Sequence, residues 1–256
     1  GEQQRIYQEL EFARHMQASL MPPSTPEGVT RFDVFAYNNP AKEVSGDFFD
    51  FIRIDEDRML LVVGDASGKG VPACLIMTMT RSILRSLCTN FTSVEEVLID
   101  LNDSIYKDIE ASKFMTMAVC LIDEKNSTLE VARAGHTELL LKNRQNVVFP
   151  IAPDGPAIGL LPNEFDVSFE TYSSQFYAGY SLLLFTDGIT EALNEADEEY
   201  GLERLLKLWS EMNLTGEAAV QAILEDVQQY AGDIPQLDDQ TLMVITSKGA
   251  ELAATH

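Results

Sequence analysis

Apolar residues recur along this chain at two different periods, and each change of period marks an element. In residues 2–20, Ile6, Leu10, Ala13, Gln17 and Leu20 follow spacings of four and three, which predicts a helix with one seam. Met21-Pro22-Pro23 stops it, because proline has no amide to continue the ladder. After Pro26 the period shortens to two. Strands are expected at Arg31–Asn38, Phe48–Ile54 and Met59–Val63, the last two joined by a turn at Asp55-Glu56-Asp57. Gly70-Val71-Pro72 opens a helix to about Leu87, with proline in the first turn, where its missing N–H is no loss. Ser93 caps another, through Val97, Leu98, Leu101 and Ile105. Strands return at Thr116–Ile122, Thr128–Ala134 and Glu138–Lys142, with a turn at Lys125-Asn126 between the first two. Pro150–Pro162 reads as a Pro/Gly-rich loop. Val167–Tyr172 and Ser181–Thr186 are expected strands, Leu202–Trp209 and Glu217–Gln229 helices, and Thr241–Thr246 a last strand.

Strands, two helices, strands, helices and a strand do not alternate as a doubly wound sheet does. The order predicts an α+β fold, its largely antiparallel sheets covered by helices. The seam of the first helix offers two readings, a surface packed on the main domain or a pairing face for a second copy of the chain. Met77, Met79, Met115 and Met117 read as core, as does Trp209 among its leucines, and Asp197-Glu198-Glu199 as a solvated loop.

Four of these strands carry aspartate at one end. Met59–Val63 runs into Gly64-Asp65, Leu182–Thr186 runs into Asp187, Asp238-Asp239 precedes the last strand, and Asp47 opens its own. A carboxylate at the mouth of a buried strand is costly unless a cation answers it. Four such acids, distant in sequence, imply convergence on bound divalent metal. Mg²⁺ and Mn²⁺ prefer oxygen ligands and keep several waters. Two such ions can share a water, lower its pKa and aim it at phosphorus. Gly46, Gly64 and Gly188 beside the acids would let the backbone approach the ions. Glu191, one helical turn beyond Asp187, reads as steadying the turn there rather than as a ligand. No arginine clamp for a phosphate is evident.

Composition narrows the partners. With 18 Lys+Arg against 41 Asp+Glu the net charge is −23, which excludes a nucleic-acid surface and resists anionic membranes. Cys74, Cys88 and Cys120 are odd in number and lack CxxC spacing, which suits a reducing cytoplasm and argues against disulfides or a zinc knuckle. No apolar run approaches the roughly 20 residues of a membrane span, so no direct membrane insertion is expected. The start at Gly1, with a polar Glu-Gln-Gln-Arg following, suggests a piece of a longer protein without a signal peptide.

Several motifs resemble a known family. Val44-Ser-Gly-Asp47-Phe-Phe-Asp50-Phe, Asp65-Ala-Ser-Gly-Lys-Gly-Val-Pro-Ala73, Ala134-Gly-His136, Thr186-Asp187-Gly188-Ile-Thr-Glu191-Ala and Asp238-Asp239-Gln-Thr241 occur in the order found in metal-dependent serine/threonine phosphatases. These are the PPM or type 2C enzymes, and the bacterial SpoIIE/RsbU-type branch is the most similar. The resemblance covers roughly residues 25–246. It implies a central antiparallel β-sandwich flanked by helices on both faces, in α-β-β-α layers, with metal at one end of the sheets. It further implies a linker or regulatory helix at 1–22, able to dimerise, a phosphatase domain at 23–249 and a tail at 250–256.

By the same resemblance Asp65 would bridge two ions, the Ala66 carbonyl would serve one, and Asp187 and Asp238 would complete the other. Asp47 would bind directly or through water, and Asp50 would lie behind the ligands. Asp239, the second member of its pair, is a further candidate metal ligand, although the first position is the family's usual one. The implied substrate is a phosphorylated regulator such as a STAS-type anti-sigma-factor antagonist, with a sensor or receiver domain upstream.

The chain also departs from the pattern. Ser45 replaces a common glycine, Lys69 stands where many relatives have histidine, and Ser67 where eukaryotic ones place their general acid. Protonation of the leaving group then falls to a metal-bound water or to Lys69, which otherwise reads as a solvated loop lysine. His136 reads as an architectural histidine, and His15 and His256 as incidental. The competing expectations are a catalytically silent phosphatase-fold interaction module and a dimetal hydrolase of a small phosphorylated molecule.

Overall fold

A computed structural model describes residues 1–249, so the tail expected at 250–256 lies outside the described residues. The chain begins with α1 (Glu2–Leu20), then β1 (Phe32–Asn39), β2 (Asp47–Arg53) and β3 (Arg58–Ala66). Two helices follow, α2 (Gly70–Cys88) and α3 (Val94–Asp108), then β4 (Met115–Asp123), β5 (Thr128–Ala134), β6 (Leu139–Lys142) and β7 (Val148–Ile151). After a 3₁₀ turn at Asn163–Phe165 come β8 (Thr171–Gln175), β9 (Ser181–Phe185) and the short α4 (Asp187–Thr190). The described chain closes with α5 (Leu202–Glu211), α6 (Gly216–Ala231) and β10 (Gln240–Ser247).

The strands form two five-stranded sheets, β1-β10-β9-β6-β7 and β2-β3-β4-β5-β8. Their pairings are antiparallel throughout. The strand period of two decides the layers. Phe48, Leu60 and Val62 face α2 and α3, while Phe49, Leu61 and Val63 face the opposite sheet. Leu183, Leu242 and Val244 turn the other way, toward α5 and α6 around Trp209. Central strands buried on both faces read as continuous apolar runs, which is why their alternation was muted in the sequence. The layers are the expected α-β-β-α.

α2 is long and apolar enough, by length and composition, to cross a membrane, contrary to the expectation of no such segment. It packs instead on the second sheet through Ala73, Ile76, Met77, Thr80 and Leu84. Its Arg85 donates from Nε and Nη2 to the buried carboxylate of Asp50 on β2, at 2.6 and 2.5 Å, and Arg81 lies 3.5 Å from the same group. That pair fixes α2 along β2, three residues behind Asp47.

Three elements differ from the reading above. β7 falls across the start of the expected Pro/Gly loop, and Pro150 sits opposite Leu140 on an edge strand, where a missing N–H costs no ladder bond. The strand expected at Val167–Tyr172 lies at Thr171–Gln175, because Val167 and Phe169 are drawn into the core beneath α2 and α3. The turn after Asp187 is a helical one, α4.

α1 has its expected bounds, but of its seam only Gln17 is buried, and Ile6 is 50% exposed. Gln17 grips the Ser45 peptide group from both sides. Its Nε2 donates to Ser45 O at 2.5 Å, and Ser45 N donates to its Oε1 at 2.9 Å.

Candidate metal centre

Strand register brings the acids together. β2 and β3 pair so that Asp47 lies directly opposite Asp65 at one end of their sheet. In the other sheet β9 and β10 are antiparallel neighbours, so the residues just after β9 and just before β10 share an end. Thr186 N donates to Thr241 O at 3.0 Å, and Thr241 N donates to Thr186 Oγ1 at 3.0 Å. Asp187 and Asp238 follow from that pairing. A Cβ on Gly188 would lie 1.8 Å from the Asp239 carbonyl oxygen, so only glycine lets these two turns touch. At Gly64 a Cβ would run into the Phe48 ring and Met115, so this glycine makes room for core packing beside Asp65.

The two sheets are joined at Asp47. Its Oδ2 accepts the hydroxyl protons of Thr186 and Thr241, each at 2.7 Å. Sequence reasoning passed over both threonines, although each lies within three residues of an acid in the motifs. Asp65 stands between Asp47 and Asp187 and approaches the carboxyls of both. Asp187, Glu191 and Asp238 then offer carboxylate oxygens that all lie within 4.8 Å of one another. Glu191, read from sequence as steadying a turn, is thus a member of the acidic group.

Electrostatics record the crowding. Burial and, after it, the neighbouring carboxylates raise Asp65, and burial raises Asp47, against the two threonine hydrogen bonds. Asp238 and Glu191 are also raised, first by burial and then by charges including Asp187. Asp187 Oδ1 is buried with no hydrogen-bond partner among the described residues. A crowded, largely buried donor set of carboxylate oxygens, one of them orphaned, fits hard divalent cations.

The other expected residues fall around this core. Asp239 accepts backbone N–H bonds from Ala41 at 2.9 Å and Gly46 at 3.0 Å, one on each oxygen, so its carboxylate ties down the loop before Asp47. Ala66 ends β3 beside Gly46, whose carbonyl accepts its N–H at 3.1 Å. Ser67 Oγ accepts the Phe114 N–H at 2.9 Å, a loop tie rather than a proton donor. His136 is buried beneath the acids. Its Nε2 donates to the Phe185 carbonyl at 2.8 Å, which leaves Nδ1 to accept from Thr116 Oγ1 at 3.0 Å. Burial lowers it to about 4, so it is neutral and architectural, as expected. Lys69 is not simply solvated: its Nζ donates to Leu237 O at 3.2 Å, beside Asp238.

Two packed antiparallel sheets with helices outside them define the fold of the PPM, or type 2C, phosphatases. The chain belongs to the SpoIIE family, whose model, Stage II sporulation protein E, matches residues 55–248, and it is a serine/threonine phosphatase domain of the SpoIIE/RsbU branch. It is similar to the phosphoserine phosphatase RsbU of Bacillus subtilis (strain 168), 28% identical over 97% of this chain and 72% of RsbU. Protein IcfG of Synechocystis sp. (strain ATCC 27184 / PCC 6803 / Kazusa) is 27% identical over 93% of this chain, which spans only 41% of IcfG. Among solved structures, the SiaA-PP2C domain of Pseudomonas aeruginosa superposes with a TM-score of 0.83 at 20% identity, covering 96% of this chain and 98% of that one. RsbX in complex with magnesium gives 0.63 at 15% identity, covering 87% and 98%. These two share the fold.

A stability measurement tests the crowding. Burial pushes Asp65 up to about 11 and raises Asp47 as well, so without metal the folded protein holds a proton at Asp65 that the unfolded chain releases near the ordinary 3.8. The native state then binds more protons than the unfolded one, so stability falls as pH rises. His136 opposes this only below the ordinary histidine value of 6.5, and Lys142, lowered to about 8 by burial, only above that pH. Between pH 6.5 and 8, Tm of the EDTA-treated protein should therefore decline with pH, and saturating Mn²⁺ should flatten the decline. A Tm that rises with pH across this window would contradict the arrangement.

Proposed function

We propose that this domain hydrolyses phosphoserine or phosphothreonine on a regulatory protein, a STAS-type anti-sigma-factor antagonist, with two Mn²⁺ or Mg²⁺ ions. The observation that carries this reading is the unbroken row of carboxyls from Asp47 through Asp65 to Asp187 and Asp238, drawn from both sheets. Asp65, in the middle of the row, would be shared between the ions. The Ala66 carbonyl, Asp187 and Asp238 would hold them with it, and Glu191 stands beside Asp187 and Asp238. Asp47 would contribute the oxygen that Thr186 and Thr241 leave free. When bound, the ions lower the pKa of a water and neutralise the phosphate oxygens.

The chain's own residues supply order. The two threonines aim Asp47, Asp239 fixes the loop that carries Gly46, and His136 spaces the ends of β4 and β9 under the site. RsbU, named as a phosphoserine phosphatase, aligns with nearly the whole chain and supports the substrate class. A cytoplasmic setting accords with Cys74, Cys88 and Cys120 as free thiols. All of the expected acids are retained, which disfavours a silent interaction module.

Control belongs to residues 1–22, as a linker to an upstream sensor or receiver domain and as a helix that pairs with a second copy. Its exposed Ile6, Tyr7, Phe12 and Met16 support pairing. The Gln17–Ser45 grip supports transmission, because Ser45 Oγ accepts the Asp47 N–H at 3.0 Å. Helix position therefore acts two residues from a metal ligand.

Asp187→Asn should lower Mn²⁺-dependent phosphate release from a phosphoserine protein by about a hundredfold or more. Wild-type turnover unaffected by EDTA, or a fully active variant, would refute the assignment. Gln17→Ala leaves the buried Ser45 peptide group short of partners, which costs about 1–3 kcal/mol locally. Mn²⁺ affinity, read by calorimetry, should weaken several-fold, and an unchanged affinity would remove α1 from control of the site.

A further inference from the structure

The centre is acidic, and so is its proposed substrate. Asp47, Asp65, Asp187, Glu191, Asp238 and Asp239 lie at one end of the sandwich. Six carboxylates outweigh the charge of two divalent ions, and a phosphate dianion brought there adds to the imbalance. The sequence shows no arginine clamp, but the fold delivers a lysine.

Lys69 stands between Gly68 at φ +83° and Gly70 at φ +69°, conformations that glycine adopts without strain. This turn carries the chain from the end of β3 into α2. It places the Lys69 side chain across the mouth of the site, where Nζ donates to Leu237 O at 3.2 Å, one residue before Asp238. An ammonium has three donors and the Leu237 bond takes one. The outer face of the turn is open: a Cβ on Gly70 would meet nothing within 4 Å, and one on Gly68 only Lys113 Nζ at 3.9 Å. A second ammonium, that of Lys113, therefore lies against the same turn.

We propose that Lys69, with Lys113 across Gly68, forms a phosphate-anchoring subsite, in which the Lys69 ammonium binds a non-bridging oxygen of the substrate's phosphoryl group beside Asp238. This rests on the phosphatase reading and supplies the cation that reading lacked. Lysine suits the place because a point charge on a flexible stem keeps its carbonyl bond while donating to an oxygen that moves during reaction. No proton transfer is required of it. The competing role is a purely structural tie between the Gly68–Gly70 turn and the Asp238 loop.

The test is calorimetric binding of inorganic phosphate to the Mn²⁺-loaded chain for wild type, K69M, K69R and K113M. Binding of Mn²⁺ alone is measured alongside. K69M should weaken phosphate binding about ten- to a hundredfold, the scale of one hydrogen bond to a charged group, and K69R should stay within a few-fold of wild type. K113M should show a smaller loss. Mn²⁺ affinity in K69M should hold or tighten, because a cation beside Asp238 has been removed. KM for a phosphoserine protein should rise with the loss of phosphate affinity. Undiminished phosphate binding in K69M, in a chain that hydrolyses phosphoserine, would overturn the anchor alone. Loss of Mn²⁺ affinity together with phosphate affinity would show the structural tie instead. A wild type that neither binds phosphate nor hydrolyses phosphoserine would overturn the anchor and the phosphatase reading together.

Discussion

Thr186 and Thr241, from one sheet, donate their hydroxyls to a single carboxylate oxygen of Asp47 in the other, and the site's geometry depends on that junction. Without it, two sheets packed by apolar contact alone could slide at their ends, since such contact has no direction. The bonds set the spacing there and leave the other face of Asp47 toward Asp65. Asp65 in turn meets Asp187, whose Oδ1 is buried without a partner among the described residues. A protein does not bury carboxyls in contact without something to answer them. In this one, a divalent cation would be that answer.

The surrounding contacts read as support for that row. The Asp50–Arg85 pair holds α2 against β2, so the turn leading from Asp65 into α2 starts from a fixed base. His136 links Thr116, opposite Asp65, to the Phe185 carbonyl, two residues before Asp187, and so spans both sheets beneath the acids. Asp239 spends both oxygens on the loop before Asp47. The second acid of the Asp238-Asp239 pair thus builds the site, while the first faces it.

Much of this was legible in the chain. Apolar periodicity placed α1, α2 and α3 and the central strands nearly to the residue, because long elements with one buried stripe or two buried faces leave a strong pattern. Aspartates at strand ends located the site, since their cost without a cation is a local fact. What failed to show was set by tertiary context. Pro150 argued against a strand, yet an edge position tolerates it. Val167 and Phe169 looked like strand and became core beneath the helices. Thr186, Thr241 and Glu191 carry no signal of their own, and only the pairing of β9 with β10 and the turn of α4 reveal what they face. Lys69 read either as a proton donor or as a solvated loop lysine, and only the fold shows its bond to the Leu237 carbonyl.

The central claim is that acids from both sheets form one centre for divalent ions. Anomalous diffraction from crystals grown with Mn²⁺ tests it most directly. Two peaks about 3.5–4 Å apart, both bound to Asp65 and one also to Asp187 and Asp238, are the predicted result. Mn²⁺ sites that leave Asp65 untouched, or no ordered ion at saturating Mn²⁺, would contradict it.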